Sequence, residues 1–213
     1  MSHTLFGDAR LYAALLKFDR DLRDARQAQG CDCGGRLHVA NYPRKPRGGP
    51  KNLPPGYEQR LSLCCARDGC RCRATPPSVR FLGRRVYLAA VFVLATAMRH
   101  GLSASRVAQL RALIGVSRRT LERWRRWWLQ IFLTTPMWKE TRGRLAEPIV
   151  ESRLPASLLQ RFDGEPLDQL LALLKLLSPL SVASAAGSAV EARTMRLEMD
   201  PQRTPTPRRR RAV

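Results

Sequence analysis

Six cysteines fall in two clusters, "CDCGG" at residues 31–35 and "CCARDGCRC" at residues 64–72, and no cysteine lies elsewhere in the chain. Thiols this dense serve as disulfide partners, as a redox or nucleophilic centre, or as ligands of a soft metal ion. The opening residues, "MSHTLFGDARLYAALLKFDRDL", carry no basic stretch followed by an apolar one. We therefore expect no signal peptide, a reducing cytoplasmic location and no structural disulfide. A nucleophilic thiol needs a base beside it, and His38 is the only histidine close in sequence. Metal ligation is the chemistry that remains.

Two cysteine clusters about thirty residues apart outline a zinc ribbon, in which two tight knuckles each supply two thiolates to one tetrahedral ion. Glycines after the second cysteine of a knuckle let backbone amides approach the sulfurs, and Gly34 and Gly35 stand there. The first pair, Cys31 and Cys33, is C-x-C, shorter than the usual C-x-x-C, while Cys65 and Cys70 form C-x4-C. The expected ligands of Zn2+ are Cys31, Cys33, Cys65 and Cys70. Cys64 is the first alternative, and Cys72 or His38 the second. Four thiolates close the coordination sphere and leave no position for a catalytic water, so we expect no enzyme here.

The second chemical signal is positive charge. The 213 residues hold 38 Lys+Arg against 17 Asp+Glu, a formal net charge of +21. Such an excess calls for an anionic partner, with nucleic acid ahead of a membrane surface. The longest uncharged apolar run, residues 86–98, is shorter than the about 20 residues of a spanning helix, so it predicts a fully buried helix and no membrane partner. The arginines cluster in "RVAQLRALIGVSRRTLERWRRWW", residues 106–128.

That segment has the layout of a helix-turn-helix. Leu110, Ile114, Val116, Leu121 and Trp124 occupy the apolar offsets that hold two helices at a steep angle. Gly115 stands at the turn, where positive φ is needed, and Ser117 is a good N-cap for the second helix. In that helix Leu121, Trp124, Trp128 and Ile131 share one side, and Arg119, Glu122, Arg123 and Arg126 the other. The expected DNA-binding residues are Ser117, Arg118, Arg119, Thr120, Arg123 and Arg126, because arginine can bond guanine edges or neutralise phosphates. Glu122 is expected to pair with a neighbouring arginine. Arg111 stands where the helices usually touch through a small residue, so the first helix runs a turn longer or packs at an altered angle. Trp127 and Trp128 are read as core and rim rather than as base-stacking platforms.

The elements that must position these groups follow from periodicity. Residues 1–30 hold an amphipathic helix over 8–28, with Leu11, Leu15, Phe18 and Leu22 at helical spacing and Gly30 beyond it. Residues 31–82 form the ribbon region, including a basic loop, "NYPRKPRGGPKNLPPG", too rich in proline for a helix or central strand. Residues 83–135 form a helical bundle with the helix-turn-helix. Residues 136–180 combine an irregular segment with a Leu-rich helix whose polar strip is Asp168, Ala172 and Lys175. That helix is expected to pack within the chain rather than form a dimer interface. Residues 181–213 read as a disordered basic tail. The fold class is mainly α with a small β zinc ribbon, the helix-turn-helix following it.

A cysteine ribbon, then "CRCRATPPSVRFLGRRVYLAAVFVL", then a helix-turn-helix resembles the N-terminal part of bacterial insertion-sequence transposases of the zinc-ribbon, acidic-triad type. It also resembles short bacterial proteins that carry only this portion. The resemblance spans roughly residues 31–132 and implies that Cys70 is the last ligand and that Cys72 falls at a basic position. The family's catalytic part is an RNase H-like domain. The residues after the helix-turn-helix lack its alternating strands, and their acidic residues sit on irregular or Leu-rich sequence, so no catalytic residue is carried over. The expected function is sequence-specific binding of double-stranded DNA, as an accessory, remnant or regulator, in a nucleoid-associated cytoplasmic protein. A transposase or a second copy of the chain is the expected protein partner. The alternative is an RNA-binding or protein-interaction zinc ribbon, with loop residues 44–51 as its contact surface.

Overall fold

The computed structural model describes residues 3–83, 85–97, 102–143, 145 and 148–182. The basic tail expected over 181–213 lies outside these residues except for Ser181 and Val182. The described chain is mostly helical with a small antiparallel sheet.

Helix α1 (Ala9–Ala28) starts where the Asp8 side chain accepts from the Arg10 amide, and it buries Leu11, Tyr12, Leu15 and Leu16. Five short strands follow: β1 (Leu37–Val39), β2 (Tyr42–Pro43), β3 (Gln59–Arg60), β4 (Leu63–Cys65) and β5 (Arg73–Ala74). Strands β1, β4 and β5 form one antiparallel sheet in that spatial order, and β2 pairs with β3. The proline-rich loop thus contributes only a two-residue edge strand, as its lack of amide donors requires.

The buried helix α2 (Ala89–Thr96) is the centre of the molecule, and all eight of its residues are buried. It is shorter at its start than the apolar run. Tyr87 and Leu88 are held extended by bridges to Arg47 and Phe81, so the helix cannot begin before Ala89. It also ends earlier than position 99, where the apolar pattern placed its end: Thr96 is its last residue, and Ala97 has left helical geometry. Against α2 pack α4 (Arg118–Arg126) and α7 (Pro166–Leu177). Phe92 on α2 touches three tryptophans: edge-on to Trp124 and Trp127, and stacked on Trp128 at 5.5 Å. The Trp128 Nε1–H donates to Thr96 Oγ1 at 2.9 Å, so the one polar atom of that ring is satisfied inside the core.

Two departures from the sequence reading have local causes. Ile131 was expected on the core side of the helix after Gly115, but it is 53% exposed, and Phe132 is buried instead. Residues Trp127–Ile131 form a π-helical turn, in which the Phe132 amide bonds to the Trp127 carbonyl. The wider turn rotates the following side chains by one position. The segment from 136, expected to be irregular, contains α5 (Pro136–Arg142). Thr135 caps it through the Trp138 amide, with Pro136 in the first turn, and Trp138 is buried against Phe132. After α6 (Ala156–Leu159), helix α7 buries Leu170, Leu173, Leu174 and Leu177 within the chain, against α1, α2 and α6. Asp168 and Lys175 stay exposed, and Lys175 lies over the Phe18 ring of α1 at 4.6 Å.

Candidate metal centre and basic helix face

The ribbon brings Cys31, Cys33, Cys65 and Cys70 together from three places in the chain. Cys31 and Cys33 precede β1, Cys65 ends β4, and Cys70 sits in the turn before β5. Their four sulfurs all lie within 4.8 Å of one another. Cys31 and Cys70 Sγ are 3.7 Å apart, and Cys33 and Cys65 Sγ 3.5 Å. These separations are far beyond a disulfide bond. They match the edge of a tetrahedron of thiolates, about 3.8 Å for a metal–sulfur bond of about 2.3 Å. The residues present therefore fit a single thiolate-bound metal ion.

Both knuckles are built by backbone. The Gly34 amide donates to the Cys31 carbonyl at 2.7 Å, and the Cys31 amide to the Gly35 carbonyl at 2.9 Å. Gly34 has φ +81°, a conformation that favours glycine. A Cβ on Gly35 would lie 2.6 Å from Cys65 Sγ and 3.3 Å from Cys33 Sγ, so only glycine lets the two knuckles close. Amides also aim at the sulfurs. The Gly35 N–H, with the Cys70 and Cys65 thiols, pulls the Cys33 thiol down to about 6. At Cys65 the Arg67 N–H acts downward too, but burial and the three neighbouring thiols outweigh it and push this thiol up to about 12.

The alternatives fall on the wrong side of the sheet. Successive strand residues face opposite ways, so Cys64 must point away if Cys65 points in. Cys64 Sγ lies against the carbonyls of Cys65 and Arg71. His38 pairs directly across from Cys64, which places it on that same outer face. Cys72 is exposed.

Beyond Gly115 the second group of predicted residues comes into place. Helix α3 (Ala104–Ile114) starts at Ser103, whose side chain accepts from the Arg106 amide, and ends at Gly115, with φ +66°. The Ser117 side chain accepts from the Thr120 amide and opens α4. Leu110, Ile114, Val116, Leu121 and Trp124 are all buried. Arg111 is exposed and Val107 half-buried, so the buried apolar residues of α3 are Leu110 and Ile114.

On the outer side of α4 the six named residues divide. The Ser117 and Thr120 hydroxyls are 3.1 Å apart and serve the cap. Arg118 pairs with Glu122 at 3.0 Å. Arg119, Arg123 and Arg126 are exposed at positions i, i+4 and i+7, one helix face, and no carboxylate among the described residues pairs with them.

No protein-family model, no curated protein and no solved structure matches this chain. Among the described residues no helix is long and apolar enough to cross a membrane.

Several residues that position these groups carried no sequence signal. The Arg47 amide donates to the Val86 carbonyl, and the Leu88 amide to the Arg47 carbonyl. Between them, Tyr87 lies edge-on to Trp124 at 4.9 Å and reaches the Gly115 carbonyl at 3.5 Å. The basic loop is thereby fastened beside the turn that opens α4. Within it Arg44 bonds the carbonyls of Gly83 and Arg85 and covers the Phe81 ring, so it is a packing residue rather than a free contact. Lys45, Arg47 and Lys51 are exposed.

Proposed function

We propose that this protein binds double-stranded DNA through the arginine face of α4, and that Zn2+ held by Cys31, Cys33, Cys65 and Cys70 stabilises the ribbon that braces that helix. Zinc suits an all-thiolate tetrahedron, and when bound it would contribute folding free energy to a ribbon whose core is only Leu37, Leu63 and Cys65. The observation that carries the reading is the two-sided character of α4. Leu121 and Trp124 bury one side, while Arg119, Arg123 and Arg126 crowd the other without acidic partners among the described residues. Like charges one turn apart repel, so such a face favours an anionic partner.

In this reading α3 and α4 act as a helix-turn-helix, with α4 entering the major groove. Arg119, Arg123 and Arg126 then reach bases or phosphates, while Ser117 and Thr120 hold the N-terminal end of the helix. The order of ribbon, apolar helix and basic helix supports kinship with the DNA-recognition part of insertion-sequence transposases. The protein would act as an accessory factor, remnant or regulator that performs no chemistry on the DNA.

Selection of bound duplexes from a random pool, followed by titration at several salt concentrations, tests this. An enriched motif and an affinity that falls steeply with salt are expected, and Arg119→Ala with Arg123→Ala should abolish binding. Tight binding to RNA that survives the double substitution would overturn it in favour of the ribbon and loop as an RNA-binding surface.

A further inference from the structure

Several buried and half-buried guanidiniums of the central region are satisfied by carbonyls or a carboxylate of the fold. Arg80 bonds Asp19 and the carbonyls of Tyr57 and Gln59. Arg60 donates to the Leu61 and Pro76 carbonyls, and Arg44 to those of Gly83 and Arg85. Arg85 is different. Its guanidinium carbon sits 4.5 Å from the Trp127 ring centroid and 4.7 Å from that of Phe92. No carboxylate or carbonyl among the described residues accepts from its side chain.

Aromatic faces attract the cation but offer its N–H donors no lone pairs. Its N–H groups therefore face solvent rather than a protein acceptor, and they are free to bond an anion that arrives from outside. Arg123 lies four residues before Trp127, the residue whose ring Arg85 covers. Burial first, and then the Arg123 charge, lower the Arg85 pKa to about 10. Arg85 over the Trp127 ring and Arg123 one turn before that ring can both serve one anion from outside.

We propose that Arg85 and Arg123 form a clamp for one phosphate of the nucleic-acid backbone, with Trp127 and Phe92 as the platform that holds Arg85 in place. This rests on the DNA-binding reading of α4 and refines it. Arg123 becomes a phosphate contact that sets the register of the helix, and Arg119 and Arg126 are left for base edges. A backbone phosphate fits better than a free anion because Arg123 lies between Arg119 and Arg126 on the face that would meet the duplex.

The test compares wild type, Arg85→Met, Arg123→Gln and the double variant in duplex-DNA titrations from low to high KCl. Methionine keeps apolar contact with the two rings, and Arg123→Gln, on an exposed position, serves if Arg85→Met does not fold. Each single variant should bind about tenfold more weakly and lose about 0.9 from the slope of log K against log salt, with the preferred sequence unchanged. The double variant should lose little more than either single one, because both arginines serve one phosphate. Unchanged affinity and slope in the Arg85 variant, with wild type binding DNA normally, would overturn the clamp and leave the DNA reading standing. If wild type binds no DNA, that reading fails alone, and the clamp is judged with inorganic phosphate. The Arg85 Nε–H resonance should then shift on phosphate addition but not on chloride addition at equal ionic strength, and no shift would sink the clamp.

Discussion

The carboxylate of Asp19 and the guanidinium of Arg80 meet at 2.8 Å with neither side chain exposed to solvent. Asp19 on α1 also accepts from the Ser78 hydroxyl and the Val79 amide. Through Arg80 the same network reaches the Tyr57 and Gln59 carbonyls at the edge of the ribbon. One buried pair therefore ties the first helix, the strands and the segment entering α2 into a single unit.

Removing one partner leaves the other charge buried and alone. Asp19→Ala should lower the unfolding free energy by about 3–5 kcal/mol in urea denaturation. Asp19→Leu combined with Arg80→Met should cost less than Asp19→Ala, because no charge is then stranded. A double variant as unstable as the single one would mean that the carbonyl and amide bonds, not the charges, carry the stability.

The thiolate cluster makes a prediction about which cysteines matter. One divalent metal per chain is expected by elemental analysis of the purified protein. Cys31→Ser, Cys33→Ser, Cys65→Ser and Cys70→Ser should each weaken metal binding roughly a hundredfold or more, taking a quarter of the about 10 kcal/mol typical of a structural zinc site. Cys64→Ser and Cys72→Ser should leave it unchanged. Chelator should unfold the strands around Leu37 and Leu63, seen as lost amide-exchange protection there.

Gly34 and Gly35 should fail in different ways. Gly35→Ala would put a methyl group 2.6 Å from Cys65 Sγ, so it should separate the knuckles and lower metal affinity in a competition assay with a coloured chelator. Gly34→Ala meets nothing within 4 Å but must hold φ +81°, a strain of about 1–2 kcal/mol. It should lower stability with a much smaller loss of metal.

In the core, Thr96→Val should leave Trp128 Nε1 without an acceptor and cost about 1–3 kcal/mol by thermal or chemical unfolding. Thr96→Ser keeps the hydroxyl and should recover most of that loss. A loss in Thr96→Ser with none in Thr96→Val would show that the methyl group, not the bond to Trp128, is what the site needs.

The four cysteines that come together, and could hold a metal ion, were legible in the sequence because glycine-flanked cysteine pairs have few other uses. The choice of Cys65 over Cys64 rested on spacing, whereas its physical cause is strand alternation across β4. The turn at Gly115 and the cap at Ser117 were legible for a similar reason: a left-handed residue followed by a hydroxyl N-cap is local chemistry. Thr135 and Pro136 carry the same kind of local signal for α5, and there the signal was missed. The fate of Ile131 was not legible, since a π-helical turn follows from how Trp127, Trp128 and Phe132 settle around Phe92.

By itself, then, the sequence determined what depends on neighbours along the chain: helix starts and stops, the turn glycines, the cysteine pairs and the sign of the charge. The tertiary structure alone decided what depends on residues far apart. It buried Arg80 against Asp19, fastened the loop through Arg47 to the extended residues around Tyr87, and set Arg85 over Trp127. Each of these is a meeting of side chains on different elements. No periodicity encodes such meetings, because they form only when the apolar faces around α2 close on one another.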